Sequence, residues 1–321
     1  MLNTLLNTPS MEELEKAATK LLKKNIKLKR GEKVVLVTDE KEDPVFDAIK
    51  KALLKMGNKF LIIRLTNKRE HSSPIPKVAN VFYNSDVIIA PTTRSITHSP
   101  ETCTAMYKYG TRVASMPGIT PEMFVEALEV DVKKIKNLID FFKNKLEKAK
   151  VVNITTPSGT HLKLDISKTK WHKDDYGDIS RKGVVCNVPF GEIDGYPPIA
   201  TGLMFIDYWQ KKIKPEDRAW VYMQRGKIVK WNKSAEVLVK ELKTAGECGL
   251  KTVELGIGTN YAFKKPIGSV LYDEKIYGTC HIAFGGHGTL QVCPIHMDVI
   301  LMHPTIWVDG RKIMEKGKLI K

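Results

Sequence analysis

Cysteine is scarce: there are five in 321 residues, and none stands in a Cys-x-x-Cys pair. An odd number at irregular spacing is no disulfide framework, and a reducing compartment is the default expectation. No apolar run approaches the ~20 residues of a membrane span. The opening residues also lack the basic start and apolar stretch of a secretion signal, which makes a cytoplasmic protein the expectation. Arginine is sparse as well, nine of the 52 basic side chains. Nucleic-acid readers concentrate arginine, whereas lysines scattered among acids make a solvated surface, so the net charge of +16 implies neither nucleic acid nor a membrane as partner. Glycine is missing where a dinucleotide would need it. The segment after the first apolar run is Thr38-Asp-Glu-Lys-Glu-Asp43, whose four carboxylates would repel a phosphate, and this excludes a nicotinamide or flavin site there.

What is present reads first as alternating strand and helix. Ser10-Met-Glu-Glu13 is a capping box that starts a helix running to about Lys24. Lys33–Thr38 is a short apolar run, Pro44 opens a helix with Val45, Phe46, Ile49, Leu53 and Met56 on its apolar positions, Gly57 stops it, and Lys59–Arg64 is a second run. Asp86–Ala90 and Arg112–Ser115 continue the series, which predicts a mostly parallel sheet covered by helices. A helical pattern from Pro121 extends to about Lys150. Beyond it the period changes to two, with hairpins predicted at Pro157-Ser-Gly159, Arg225-Gly226 and Asp309-Gly310. The expected fold class is therefore α/β: an α/β domain over residues 1–150 and an α+β domain with antiparallel strands over 151–321, the latter carrying the chemistry.

Four of the eight histidines fall between residues 281 and 303. In His296-Met-Asp298, alternate residues of a strand face one way, so imidazole and carboxylate converge and can supply two ligands to a metal. His281 lies in Thr279-Cys-His-Ile-Ala-Phe-Gly285, where Ala283 and the following glycines leave room beside the ring. Glu192 follows a Pro- and Gly-punctuated loop, and Glu254 is flanked by Val253 and Leu255. An acid inside an apolar strand is costly to bury unless it is paired or bound to a cation.

The order Asn187-Val-Pro-Phe-Gly-Glu192, then Glu254, then Cys280-His-Ile-Ala-Phe-Gly285, then His296-Met-Asp298 resembles the leucyl aminopeptidase, or aminopeptidase T, family of two-metal exopeptidases. The resemblance covers most of residues 180–310 and implies Glu192, Glu254, His281, His296 and Asp298 as metal ligands. Glu274 of Asp273-Glu274 is a further candidate, set two residues farther from His281 than in that family. A Tyr that the peptidases carry seven residues after the ligand His is here Gly288, next to His287. One relative on the same scaffold, a dihydroxypyridine ring-cleaving dioxygenase, uses a single iron.

These residues lead to an expected hydrolase, a metallo-aminopeptidase. Two divalent ions, zinc, cobalt or manganese, would activate a bridging water, Glu254 would bridge the metals or move the proton, and His287 would stand in for the missing Tyr as a catalytic donor. A homodimer acting on peptides is the matching expectation. The alternative enzyme is a mononuclear Fe(II) oxygenase, because His281, His296 and Asp298 are the two His and one carboxylate of a facial triad. The remaining alternative is a non-enzymatic basic binding protein.

Overall fold

A computed structural model describes residues 8–69, 71, 73–287 and 291–320. Gly288 lies outside the described residues. The chain forms two compact units, one of Met1–Val132 with Gly177–Phe190, the other of Lys133–Tyr176 with Gly191–Lys321.

In the first unit, the Ser10 hydroxyl accepts from the Glu13 amide at 3.3 Å while the Glu13 carboxylate accepts from the Ser10 amide at 2.8 Å, so the capping box starts the Met11–Lys20 helix. One π turn, Leu21–Asn25, carries it on. Asp43 caps the Pro44–Lys55 helix, its carboxylate accepting from the amides of Val45 and Phe46 at 2.9 and 3.1 Å. The sheet is wholly parallel, in the order Phe60–Arg64, Val34–Thr38, Val87–Thr92, Arg112–Pro117, Val185–Asn187. Its inner strands are buried throughout, which is why Val34-Val-Leu-Val reads as an unbroken apolar run. The pattern expected as one helix from Pro121 breaks into Pro121–Leu128 and Val132–Leu146. The break falls at Glu129-Val-Asp131, where Asp is a poor interior residue of a helix and a good starting one.

The second unit holds two antiparallel sheets, one of eight strands and one of five. The expected hairpins set the eight-stranded sheet. Val151–Thr155 pairs with His161–Asp165, Trp220–Gln224 with Lys227–Trp231, and Thr305–Val308 with Arg311–Glu315. Arg225-Gly226 and Asp309-Gly310 each have both φ values positive, the geometry that two-residue hairpins select for their twist. The α/β class with parallel and antiparallel sheets is thus the fold observed. No helix among the described residues is long and apolar enough to cross a membrane.

One cysteine expectation is corrected. Cys248 and Cys293 are joined by a disulfide, 45 residues apart in sequence but with Cα atoms 5.9 Å apart, while Cys103, Cys186 and Cys280 are free and buried. Spacing along the chain carries no information about a pairing made by tertiary folding, so neither evenness nor a Cys-x-x-Cys motif could have excluded it. Thiol titration of the unreduced protein in guanidinium should report three thiols per chain; five would show that the bridge does not form.

Candidate metal centre

The five-stranded sheet runs in the order Gln291–Met302, Thr279–His287, Thr252–Gly258, Glu192–Tyr196, Lys170–His172. Period two divides it sharply. One face carries Val253, Leu255, Ile257, Cys280, Ile282, Phe284, Val299 and Leu301, all fully buried. The other carries the acids and imidazoles. Register then decides which side chains meet: Glu254 stands opposite Ala283 and Ala283 opposite Asp298, Gly256 lies between Asp194 and His281, Gly258 faces Glu192, and Gly285 faces His296. Each chemically active side chain therefore has a neighbour across the strand with little or no side chain, and the long polar groups spread over those gaps without clashing. At Gly256 the approach is closest, since a Cβ there would overlap the His281 ring.

The polar atoms converge. His281 Nε2 lies 3.3 Å from Glu254 Oε1, 3.6 Å from Glu192 Oε2 and 4.0 Å from Asp298 Oδ1. His296 Nε2 lies 3.3 Å from the same Asp298 oxygen and 3.9 Å from Glu254 Oε2, and its Nδ1 donates to the Gly286 carbonyl at 2.6 Å. That last bond fixes the ring so that Nε2 is the nitrogen facing Asp298 and Glu254. His287 Nε2 is 3.5 Å from Glu254 Oε2, and its ring stacks on Tyr196 at 4.6 Å between centroids. Glu254 thus reaches all three imidazoles. All the residues expected from the sequence, Glu192, Glu254, Glu274, His281, His287, His296 and Asp298, are brought to this one face.

Three of these groupings could each hold an ion: Glu192, Glu274 and His281; Asp194, Glu254 and His287; Glu254, His296 and Asp298. Two residues were not legible beforehand. Asp194 accepts from His172 Nδ1 at 3.0 Å, its value hidden in the loop-like Glu192-Ile-Asp-Gly195. Lys275 is fully buried and ion-paired with Glu192, with Glu274 at 2.8 Å and with Asp175 at 3.4 Å. The only available signal was that a Lys follows Asp273-Glu274.

The electrostatics call for positive charge. Asp175, Glu192, Glu254, Glu274 and Asp298 are all buried, with one lysine among them. Burial works against a charged His281, yet Glu254, Glu192 and Asp298 outweigh it and raise the imidazole to about 10. Asp298 is held well below the ordinary carboxylate range despite its burial, by His296 first and then His281. Even so, Asp298 Oδ1, Glu192 Oε2 and His281 Nδ1 are buried without a hydrogen-bond partner among the described residues. A buried polar atom left unsatisfied costs about 1–3 kcal/mol, and a cation beside the Asp298 and Glu192 oxygens would remove that cost for both carboxylates. Imidazole and carboxylate donors suit a divalent first-row metal, so the residues fit such an ion.

Exposure is graded across the face. The side chain of His281 is 1% exposed, against 17% for His287 and 24% for His296. His287 and His296 are thus the more exposed of the three imidazoles.

A ligand-binding α/β protein with a candidate metal centre on an antiparallel sheet is the class so defined. The chain belongs to the NicX: 2,5-dihydroxypyridine 5,6-dioxygenase family, whose sequence model matches residues 13–203. Two solved structures share the fold. One is a 2,5-dihydroxypyridine dioxygenase from Pseudomonas putida KT2440, with a TM-score of 0.79 and 17% identity over 97% of this chain and 98% of that one. The other is aminopeptidase T from Thermus thermophilus, with a TM-score of 0.70 and 15% identity over 97% and 99%. No curated protein matches the chain. Family membership overturns the expected metallo-aminopeptidase, and with it the hydrolase and protease reading. The motifs that resembled aminopeptidase T go with a fold that this chain shares with both solved structures; they do not specify the reaction.

Gly256→Ala tests the packing of the centre directly. It should destabilise the protein by about 1–3 kcal/mol, the usual cost of overfilling a packed site, read as a lower urea midpoint. An unchanged midpoint would mean that the His281 ring does not lie against Gly256.

Proposed function

We propose that this protein is a mononuclear Fe(II) dioxygenase that opens the ring of a dihydroxylated pyridine. The observation that carries this reading is family membership over residues 13–203. Since that match ends before His281, the assignment of ligands rests on geometry: two imidazoles approach one Asp298 oxygen from neighbouring strands. In this reading His281, His296 and Asp298 hold one iron, in place of the two zinc, cobalt or manganese ions expected for a peptidase. When bound, the ferrous ion supplies the one-electron chemistry that lets dioxygen react with a closed-shell ring.

The chain's own residues do the rest. Glu254 spans His281, His287 and His296 and so orients the imidazoles from outside the triad. His287 lies on the accessible side, braced between Glu254 and the Tyr196 ring, where it can take the proton of a substrate hydroxyl and share it with Glu254. Tyr196 and His287 offer flat faces to a flat substrate. Both oxygen atoms enter the product, one ring carbon–carbon bond breaks, and nothing leaves, so no further reductant is required.

The test is anaerobic loading of the full chain with Fe(II), followed by oxygen-electrode and absorbance measurements with 2,5-dihydroxypyridine. One iron per chain and one dioxygen per ring opened are expected. Asp298→Ala should lower both iron occupancy and turnover on the order of 100-fold or more, as loss of a charged ligand does. His287→Gln should keep the iron and lower kcat about 100-fold, the scale of a lost acid–base group. Iron-loaded protein that consumes no oxygen with any dihydroxypyridine would refute the reading.

A further inference from the structure

Lys275 stands where a cation would. Its ammonium is fully buried and contacts Glu192 Oε1, with Glu274 Oε1 at 2.8 Å and Asp175 Oδ2 at 3.4 Å. Glu192 and Glu274, with His281, are themselves one of the groupings able to hold an ion. The other Glu192 oxygen, Oε2, turns toward His281 Nε2 at 3.6 Å and has no hydrogen-bond partner among the described residues. This carboxylate therefore presents one oxygen to the ammonium and the other to the His281 side of the centre, as a bridging carboxylate does between two metal ions.

The backbone holds the lysine in place. Its amide donates to the Tyr272 carbonyl at 3.1 Å, and its carbonyl accepts from the Asn260 amide at 2.8 Å. A flexible surface lysine could swing away to admit an ion; this one is fully buried, and leaving would take from Glu192 and Glu274 the cation that contacts both.

We propose that Lys275 is the built-in second cation of this centre: its ammonium occupies the Glu192–Glu274 carboxylates, closes them to metal, and limits the chain to one metal ion at His281, His296 and Asp298. The proposal rests on the reading that those three residues hold a metal. It gives one carboxylate-rich scaffold a means of hosting mononuclear chemistry, with the charge of the second ion supplied by the chain.

The experiment is a metal count. The full chain, stripped with chelator, is equilibrated with excess Mn(II) as an air-stable stand-in for Fe(II), desalted, and analysed by plasma emission, with melting temperatures recorded with and without Mn(II). One manganese per chain is expected for the unmodified protein and for Lys275→Arg. Two are expected for Lys275→Met, with a larger Mn(II)-induced rise in melting temperature. The double variant Lys275→Met/Glu192→Gln, which removes the cation together with one acid, is expected to fold and to return to one. If Lys275→Met is unfolded without metal, circular dichroism in Mn(II) decides: recovery of the fold supports the proposal and failure to recover overturns it. Two ions in the unmodified chain, or one in Lys275→Met with an unchanged thermal shift, would overturn the role of Lys275 alone. No bound manganese in the unmodified chain would remove the metal-centre reading itself, and the proposal with it.

Discussion

Burying like charges on one face of a sheet is the constraint around which the second unit is organised. Carboxylates are expelled from protein interiors unless something positive goes with them. Here Asp175, Glu192, Glu254, Glu274 and Asp298 are buried together, and the groups available to balance them are one lysine and the imidazoles that face them. The sheet makes this arrangement sterically possible. Its apolar residues point to the opposite face, and Gly256, Gly258, Ala283 and Gly285 thin out the polar face so that the long side chains can lean across. A one-residue slip of any of these strands would turn its acid or imidazole into the apolar layer, so the register and the centre stand or fall together.

Much of this was legible because strands have a period of two. His296 with Asp298, and His281 with Ala283, can be assigned to shared faces from sequence alone, and an acid between Val253 and Leu255 announces itself. The two-residue turns were legible for a similar reason: Arg225-Gly226 and Asp309-Gly310 put glycine where φ must be positive. What could not be read was whatever depends on which strands are neighbours. Asp194 looks like loop punctuation until Glu192–Tyr196 is seen to pair with Thr252–Gly258. Lys275 looks like one more surface lysine among 43 until its turn is folded against Glu192. The Cys248–Cys293 bridge joins a turn to a strand across 45 residues. Each is a tertiary fact that leaves no local pattern.

The peptidase expectation failed in an instructive place. Five ligands for two metals contain three for one, so the motif Cys280-His-Ile-Ala-Phe-Gly285 with His296-Met-Asp298 is equally at home in either chemistry. Two features of the chain bear on the choice. The position of the peptidases' Tyr is occupied by a glycine, which has no side chain to stabilise an oxyanion. A lysine sits on two of the carboxylates that a second ion would require. Metal sites are defined as much by the charges around the ligands as by the ligands themselves.

The gradient of exposure gives these charges a direction. Lys275 and Asp175, with Glu274 and Glu192 against the lysine, form a buried pairing, and a fully buried ammonium there can tune the field of the centre. At the open end stand His296, His287 and Tyr196, with a neutral aromatic face and an imidazole in contact with a buried carboxylate. A flat, hydroxylated ring would be met there by stacking and by a proton acceptor, while the fixed cation stays behind the ligands where it cannot compete for the substrate's oxygens. In the reading proposed above this division matters, because a second exposed cation beside His287 and His296 would bind the ring hydroxyls itself and hold them away from the reacting ion.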